Sequence, residues 1–256
     1  MKSKLIILGC GSSVGVPRAD GYWGNCDKNN KKNDRSRCSA IIVKGSNSIL
    51  IDTSPDIRKQ LLLNKIKRIS SVIFTHEHAD QTNGLFELRP FYWKYKKKIN
   101  IYGSFKTINY LKKRQDYLFK KVSVYPPIVN ANVINSRFSL GKLNEKIHFK
   151  AIKSKHGETS SIIYIFEDTA YISDSNDLSI VKKKELQNLK YLIIDCLRYK
   201  KHPSHFNLKE SLFVHHCLKP KKTILTNLHS DLDYDFLLRK LPKNVLPAYD
   251  GLSLNL

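Results

Sequence analysis

Short apolar runs separated by polar turns set the pattern of this chain. Residues 4–9 form the first such run and read as a strand entering a glycine- and serine-rich turn over 9–17. Residues 20–37 are polar and predict a long surface loop. The runs at 39–43 and 48–52, joined by Lys44-Gly45-Ser46-Asn47, predict a β-hairpin. Thr53-Ser54-Pro55-Asp56 opens a helix with Pro55 in its first turn, and Ile57, Leu61, Leu62 and Ile66 recur at helical spacing. Val72-Ile73-Phe74 predicts a buried strand, followed by a polar turn and a helix from Leu85. A strand over 99–102 and a basic helix over 105–113 come next, then a stretch at 122–133 carrying Pro126-Pro127 and alternating apolar residues. Strands are expected at 147–152, 161–166, 170–173, 191–195, 223–226 and 252–254, with helices around 208–217 and 234–241. Strands in runs with helices between them predict two sheets with helices outside, not a doubly wound parallel sheet. The pattern contains no repeat or linker, so residues 1–256 are expected to form one domain.

Composition narrows the class. The chain has 256 residues, 41% hydrophobic and 26% charged, as in an ordinary globular protein able to bury a large core. No apolar run approaches the roughly 20 residues of a membrane span, and the apolar run near the start is too short for a signal peptide, so the expected location is cytoplasmic. Five cysteines, odd in number and widely spaced, do not form the pattern of a disulfide framework, which is not expected in a cytosolic chain of this size. Cys196 falls in an apolar strand; Cys10, Cys26 and Cys38 flank the glycine-rich loop and leave a small structural metal site open. The net charge of +23 favours an anionic partner, although abundant lysine beside isoleucine and asparagine also fits a coding bias.

Candidate chemistry gathers where strands end. Past Val72-Ile73-Phe74 the chain delivers His76, His78 and Asp80, imidazoles at i and i+2 and a carboxylate at i+4, which converge on a cation if the turn is tight. Neutral imidazole and carboxylate suit zinc, manganese or iron. His156, Asp174, and Asn227 with His229 follow three later strands, where a rigid scaffold presents chemistry.

That order, with the stretches LGCGSSVGVPR, RCSAIIV, IDTSPDIRKQLL, FTHEHADQTNGLFELRP, KHGE, YISDS, HPSHF, TNLHSDLDY and PAYDGL, resembles the metallo-β-lactamase fold superfamily. Within it the chain is similar to the branch of the phosphoribosyl cyclic phosphodiesterases of phosphonate breakdown, from residue 4 to the end. The resemblance implies a four-layer αββα sandwich in the broad α/β (α+β) class, with divalent metal ions, Zn or Mn or Fe, one or two per chain, at one edge of the sheets. It implies that His76, His78 and His156 hold the first metal, that Asp174 bridges, and that Asp80 helps hold the second or orients the nucleophile. Asp52 would orient ligands from beneath, and His205 would protonate the leaving oxygen. Arg89 or Arg18 would clamp a phosphate, with a salt bridge to Glu87 as the other reading for Arg89.

Two departures fall on the second metal. Gln81 stands where the superfamily usually has a histidine after the aspartate, and Asn227 stands where a histidine usually follows Thr226. His229, two residues on, is a candidate replacement if the backbone stays extended. The implied function is a metal-dependent phosphodiesterase acting through a metal-activated water on a small cyclic or nucleotide-like anionic substrate. The alternatives are an RNA-processing endonuclease, to which the basic and aromatic segment 93–121 would contribute, and a degenerate member that binds without turnover. A homodimer is the expected assembly.

Overall fold

The computed structural model describes residues 2–256. Six strands of the first half, β1 (Ser3–Gly9), β2 (Ser39–Lys44), β3 (Asn47–Ile51), β4 (Ser71–Ile73), β5 (Ile99–Gly103) and β6 (Val129–Val133), lie in one sheet. Seven of the second half lie in the other: β7 (Arg137–Leu140), β8 (Ile147–His156), β9 (Thr159–Phe166), β10 (Thr169–Ile172), β11 (Tyr191–Asp195), β12 (Lys222–Thr226) and β13 (Val245–Pro247). The last strand, β14 (Ser253–Asn255), returns to the first sheet beside β1, giving the orders β14-β1-β2-β3-β4-β5-β6 and β13-β12-β11-β10-β9-β8-β7.

Both faces of each sheet are covered at their centres, so the central strands β1, β2, β3, β10 and β11 are mostly apolar, while β6, β7, β8 and β14 alternate with exposed polar residues. Along β1, Leu5 and Ile7 pack into the core between the sheets, while Ile6 and Leu8 pack outward. β3 repeats this alternation, Ile49 and Ile51 inward and Leu50 outward. Phe149, Tyr164, Phe166, Tyr171 and Ile193 of the second sheet close the central layer. Outside the first sheet lie α1 (Ile57–Leu63), the one-turn α2 (Ala79–Thr82), α3 (Arg89–Tyr95) and α4 (Phe105–Arg114). Ile57, Leu61, Ile108 and Leu111 seal that face. Outside the second sheet, α5 (Leu208–Leu218) and α6 (Tyr234–Lys240) bury Val214, Leu218 and Leu237. The order is helix, sheet, sheet, helix: the αββα sandwich.

Some elements depart from the sequence reading. The helix expected from Leu85 is a 3₁₀ turn over Leu85–Leu88, with α3 starting at Arg89. The stretch 122–133, to which the sequence assigns no element, ends in the strand Val129–Val133. β7 and β13, short and at sheet edges, carry too little periodicity to be expected. Among the described residues no helix is long and apolar enough to cross a membrane.

Candidate metal centre

The two sheets are joined directly beneath the histidine turn. The Tyr164 hydroxyl, from β9, donates to the Phe74 carbonyl at 2.7 Å, and Ile162 N–H donates to the Thr75 carbonyl at 2.9 Å. The turn is then clamped to the end of β3: Thr53 N–H donates to the Gln81 carbonyl at 2.7 Å and Gly84 N–H to the Thr53 carbonyl at 2.9 Å. Gly84 is required there, since a Cβ would sit 2.0 Å from the Ser54 carbonyl oxygen. α2 begins immediately after His78.

Three imidazoles meet above that clamp. Ring centroids lie 4.5 Å apart for His76 and His78, 4.9 Å for His76 and His156, and 5.0 Å for His78 and His156. One nitrogen of each lies within 4.8 Å of the others. Buried Asp52, at φ 60°, accepts from Thr75 N–H and Thr75 Oγ1–H, both at 2.8 Å, and Thr75 Oγ1 in turn accepts from His76 Nδ1–H at 3.0 Å. This leaves His76 Nε2 as a lone pair, and it is buried with no partner in the protein. His156 Nδ1–H donates to the Ser204 carbonyl at 2.7 Å, turning its Nε2 lone pair toward His78 Nδ1, 3.2 Å away. Burial pushes His76 down to about 3, so it stays neutral, as a ligand must. An orphaned buried nitrogen facing two more imidazoles fits a divalent cation.

A second group adjoins the first: His156, Asp174 and His205 also present atoms within 4.8 Å of one another. His205 Nδ1–H donates to Asp195 at 2.8 Å and lies 3.8 Å from Asp174. Burial works against the His205 charge, but the Asp195 carboxylate outweighs it, and the imidazole rises to about 9. Burial raises Asp195 to about 6, and burial together with the Asp174 charge raises Asp80 to about 6. The loop carrying His205 is held at both ends. Ser211 Oγ donates to the Asp195 carbonyl at 2.6 Å, and a reciprocal cap between Asn207 and Glu210 fixes the start of α5.

Asp195 was not singled out in the sequence reading. Its signal was available: it ends the buried strand YLIID as Asp52 ends SILID. Gln81 and Asn227 lie beside the carboxylates, with Gln81 Nε2 on Asp80 at 3.2 Å and Asn227 Nδ2 on Asp195 at 3.1 Å. His229 is in neither ligand group; its Nδ1 faces Asp231 at 3.2 Å. Arg18 pairs with Asp20 on the surface, and Arg89 lies over the Phe86 ring, 4.5 Å from its centroid. Arg37, bidentate on Asp56, is the arginine whose charge reaches Asp80. Cys10, Cys26 and Cys38 have separate partners, Asp250, the Ser230 carbonyl and Thr226, and no cysteine belongs to a ligand group among the described residues.

Residues 47–227 match the family described as the β-lactamase superfamily domain. A solved diphosphatase of the PhnP family shares 31% identity with a TM-score of 0.87, covering 100% of this chain and 98% of its own. Zn²⁺-bound PqqB from Methylobacterium extorquens, at 15% identity and TM-score 0.79, covers 99% of this chain and 100% of its own and shares the fold. An octanoyltransferase of Porphyromonas gingivalis (strain ATCC BAA-308 / W83) is 28% identical over 254 residues, 98% of this chain; the chain spans 51% of that protein's length. With the family matched across most of its length and the αββα sandwich in place, this chain belongs to the β-lactamase superfamily, in its metallo-β-lactamase-fold branch.

Proposed function

We propose that this protein is a metal-dependent hydrolase that cleaves a phosphodiester or diphosphate linkage in a small anionic substrate. The observation that carries the reading is the orphaned His76 Nε2, buried against His78 and His156 with the His205–Asp195 pair alongside. The likeness to a PhnP-family diphosphatase supports phosphorus as the reacting centre.

His76, His78 and His156 would hold a zinc, manganese or iron ion, with Asp174 beside them; when bound, the ion supplies Lewis-acid activation of water and phosphoryl oxygen. The remaining work falls to the chain's own groups. Asp52, through Thr75, keeps His76 in the tautomer that offers Nε2, and the Ser204 carbonyl does the same for His156. Asp195 fixes the His205 ring by Nδ1, so the other ring nitrogen is the one that can pass a proton to the departing oxygen. Asp80 would accept the proton of the attacking water. The net charge of +23 favours an anionic substrate, and the segment before His205 adds Arg198, Lys200 and Lys201.

The test is hydrolysis of bis-p-nitrophenyl phosphate and of a nucleoside diphosphate ester by protein stripped of metal and reloaded with zinc, manganese or iron. Turnover that appears on reloading and is absent in His76→Ala supports the reading. No turnover of either substrate class with any of the three metals overturns it.

A further inference from the structure

Two amide side chains stand beside the three-histidine pocket, and both present nitrogen to it. Gln81 Nε2 lies 3.2 Å from Asp80 Oδ2 and 3.4 Å from Asp174 Oδ2, bridging the two carboxylates. Asn227 Nδ2 lies 3.1 Å from Asp195 Oδ1, 3.5 Å from Asp174 Oδ1 and 3.3 Å from the Ser173 carbonyl. Gln81, Asn227, Asp174 and Asp195 are all buried. Each of these neighbours is an acceptor; the one further contact, His205 Nδ1 at 3.1 Å from Asn227 Nδ2, gives its proton to Asp195. Turning either amide over would set its oxygen against carboxylate oxygens. The orientation has a cost, because Gln81 Oε1 is left buried without a partner. Three crowded carboxylates explain why that cost is met: amide N–H groups reduce their mutual repulsion, as a cation would.

We propose that this centre takes one divalent ion per chain, at His76, His78 and His156 with Asp174. The N–H groups of Gln81 and Asn227 do for Asp80 and Asp174 what a second ion would otherwise do. The inference rests on the metal-centre reading above and narrows it. A cation entering between Asp80 and Asp174 would meet the positive ends of two amide dipoles and would displace hydrogen bonds to three carboxylates at once. If the amides turned to accommodate it, they would offer neutral oxygens, poorer ligands than imidazole for zinc-like ions, so Mn²⁺, which accepts oxygen ligands, is the most demanding probe of a second site. His229 supplies no substitute, since it presents no atom to either ligand group.

The experiment is a titration of metal-free full-length protein with Mn²⁺, read by elemental analysis after gel filtration and by electron paramagnetic resonance. The expected result is one equivalent per chain with the spectrum of an isolated ion. The double variant Gln81→His/Asn227→His is expected to take a second equivalent and to show an exchange-coupled pair. Asn227 sits at φ 61°, a conformation that histidine tolerates better than most residues. Two coupled ions in the wild type would overturn the proposal. One ion in both proteins would overturn the role given to the amides. No bound ion in the wild type would overturn the metal-centre reading and this inference with it. The wild-type titration decides the stoichiometry by itself if circular dichroism shows the double variant unfolded.

Discussion

His205 illustrates how a single residue takes its character from its neighbours. On a surface it would be half neutral near its ordinary pKa; here Asp195 holds its Nδ1–H and its charge. His205→Ala is expected to lower kcat by about 10²–10⁴-fold, the range for loss of a general acid. Metal content in the same preparation should be unchanged, and a parallel loss of metal would instead make His205 a ligand. Arg37 and Asp56 form the other residue-scale test. Three hydrogen bonds from Arg37, two from the guanidinium at 2.8 and 2.6 Å and one from the backbone N–H at 3.0 Å, hold Asp56 below the usual carboxylate range: burial opposes the charge, and Arg37 overcomes it. The folded pKa is depressed, so the pair stabilises the fold above the unfolded value of about 3.9, and that contribution is lost as pH falls through the folded value. Asp56→Asn should therefore cost about 1 kcal/mol at pH 7 and progressively less as pH falls through the folded pKa, as urea unfolding across that range would show.

At the scale of elements, the site depends on how strands end and on what ties one sheet to the other. The hydroxyl of Tyr164 reaches from β9 to the backbone at the end of β4, directly under the histidine turn. Tyr164→Phe leaves that buried carbonyl without its donor and is expected to cost about 1–3 kcal/mol. The loss should appear as a lower denaturant midpoint with unchanged m-value, and a changed m-value would point instead to a looser native state. The same element boundaries explain what was legible in advance. Asp52, His76, His156, Asp174 and Asn227 each follow an apolar strand run, so strand-end position marked them. Asp195 obeys the same rule in YLIID, but an acidic residue at a strand end is common and nothing nearby in the chain repeats a ligand spacing, so the local pattern does not mark it.

For the whole molecule, the centre draws on both sheets: His76, His78 and Asp80 come from the first, His156, Asp174, Asp195 and Asn227 from the second. A ligand bound only by the assembled site stabilises the whole fold by mass action, about 2.7 kcal/mol at a concentration 100 times its Kd. Chelation should then lower the Tm by roughly 5–10 °C for a chain of this size, and a scan of His76→Ala should show no such response. A wild-type Tm indifferent to chelator would remove the metal from the account. The sequence alone determined the layers and the type of chemistry. Apolar periodicity dictates which runs become buried strands, and the ordered series His76, His78, Asp80, His156 and Asp174 at strand ends carries the metal reading that two imidazoles alone would not. His229 shows where that local reasoning ends. Its distance along the chain from Asn227 suited a ligand, yet the positive φ at Asn227 breaks the extended path, and the ring turns toward Asp231. Which nitrogen of His76 is free, what His205 leans on and which way the amides of Gln81 and Asn227 face were decided only in the tertiary structure. Each depends on hydrogen-bond partners supplied by strands distant in sequence, and no local pattern records them.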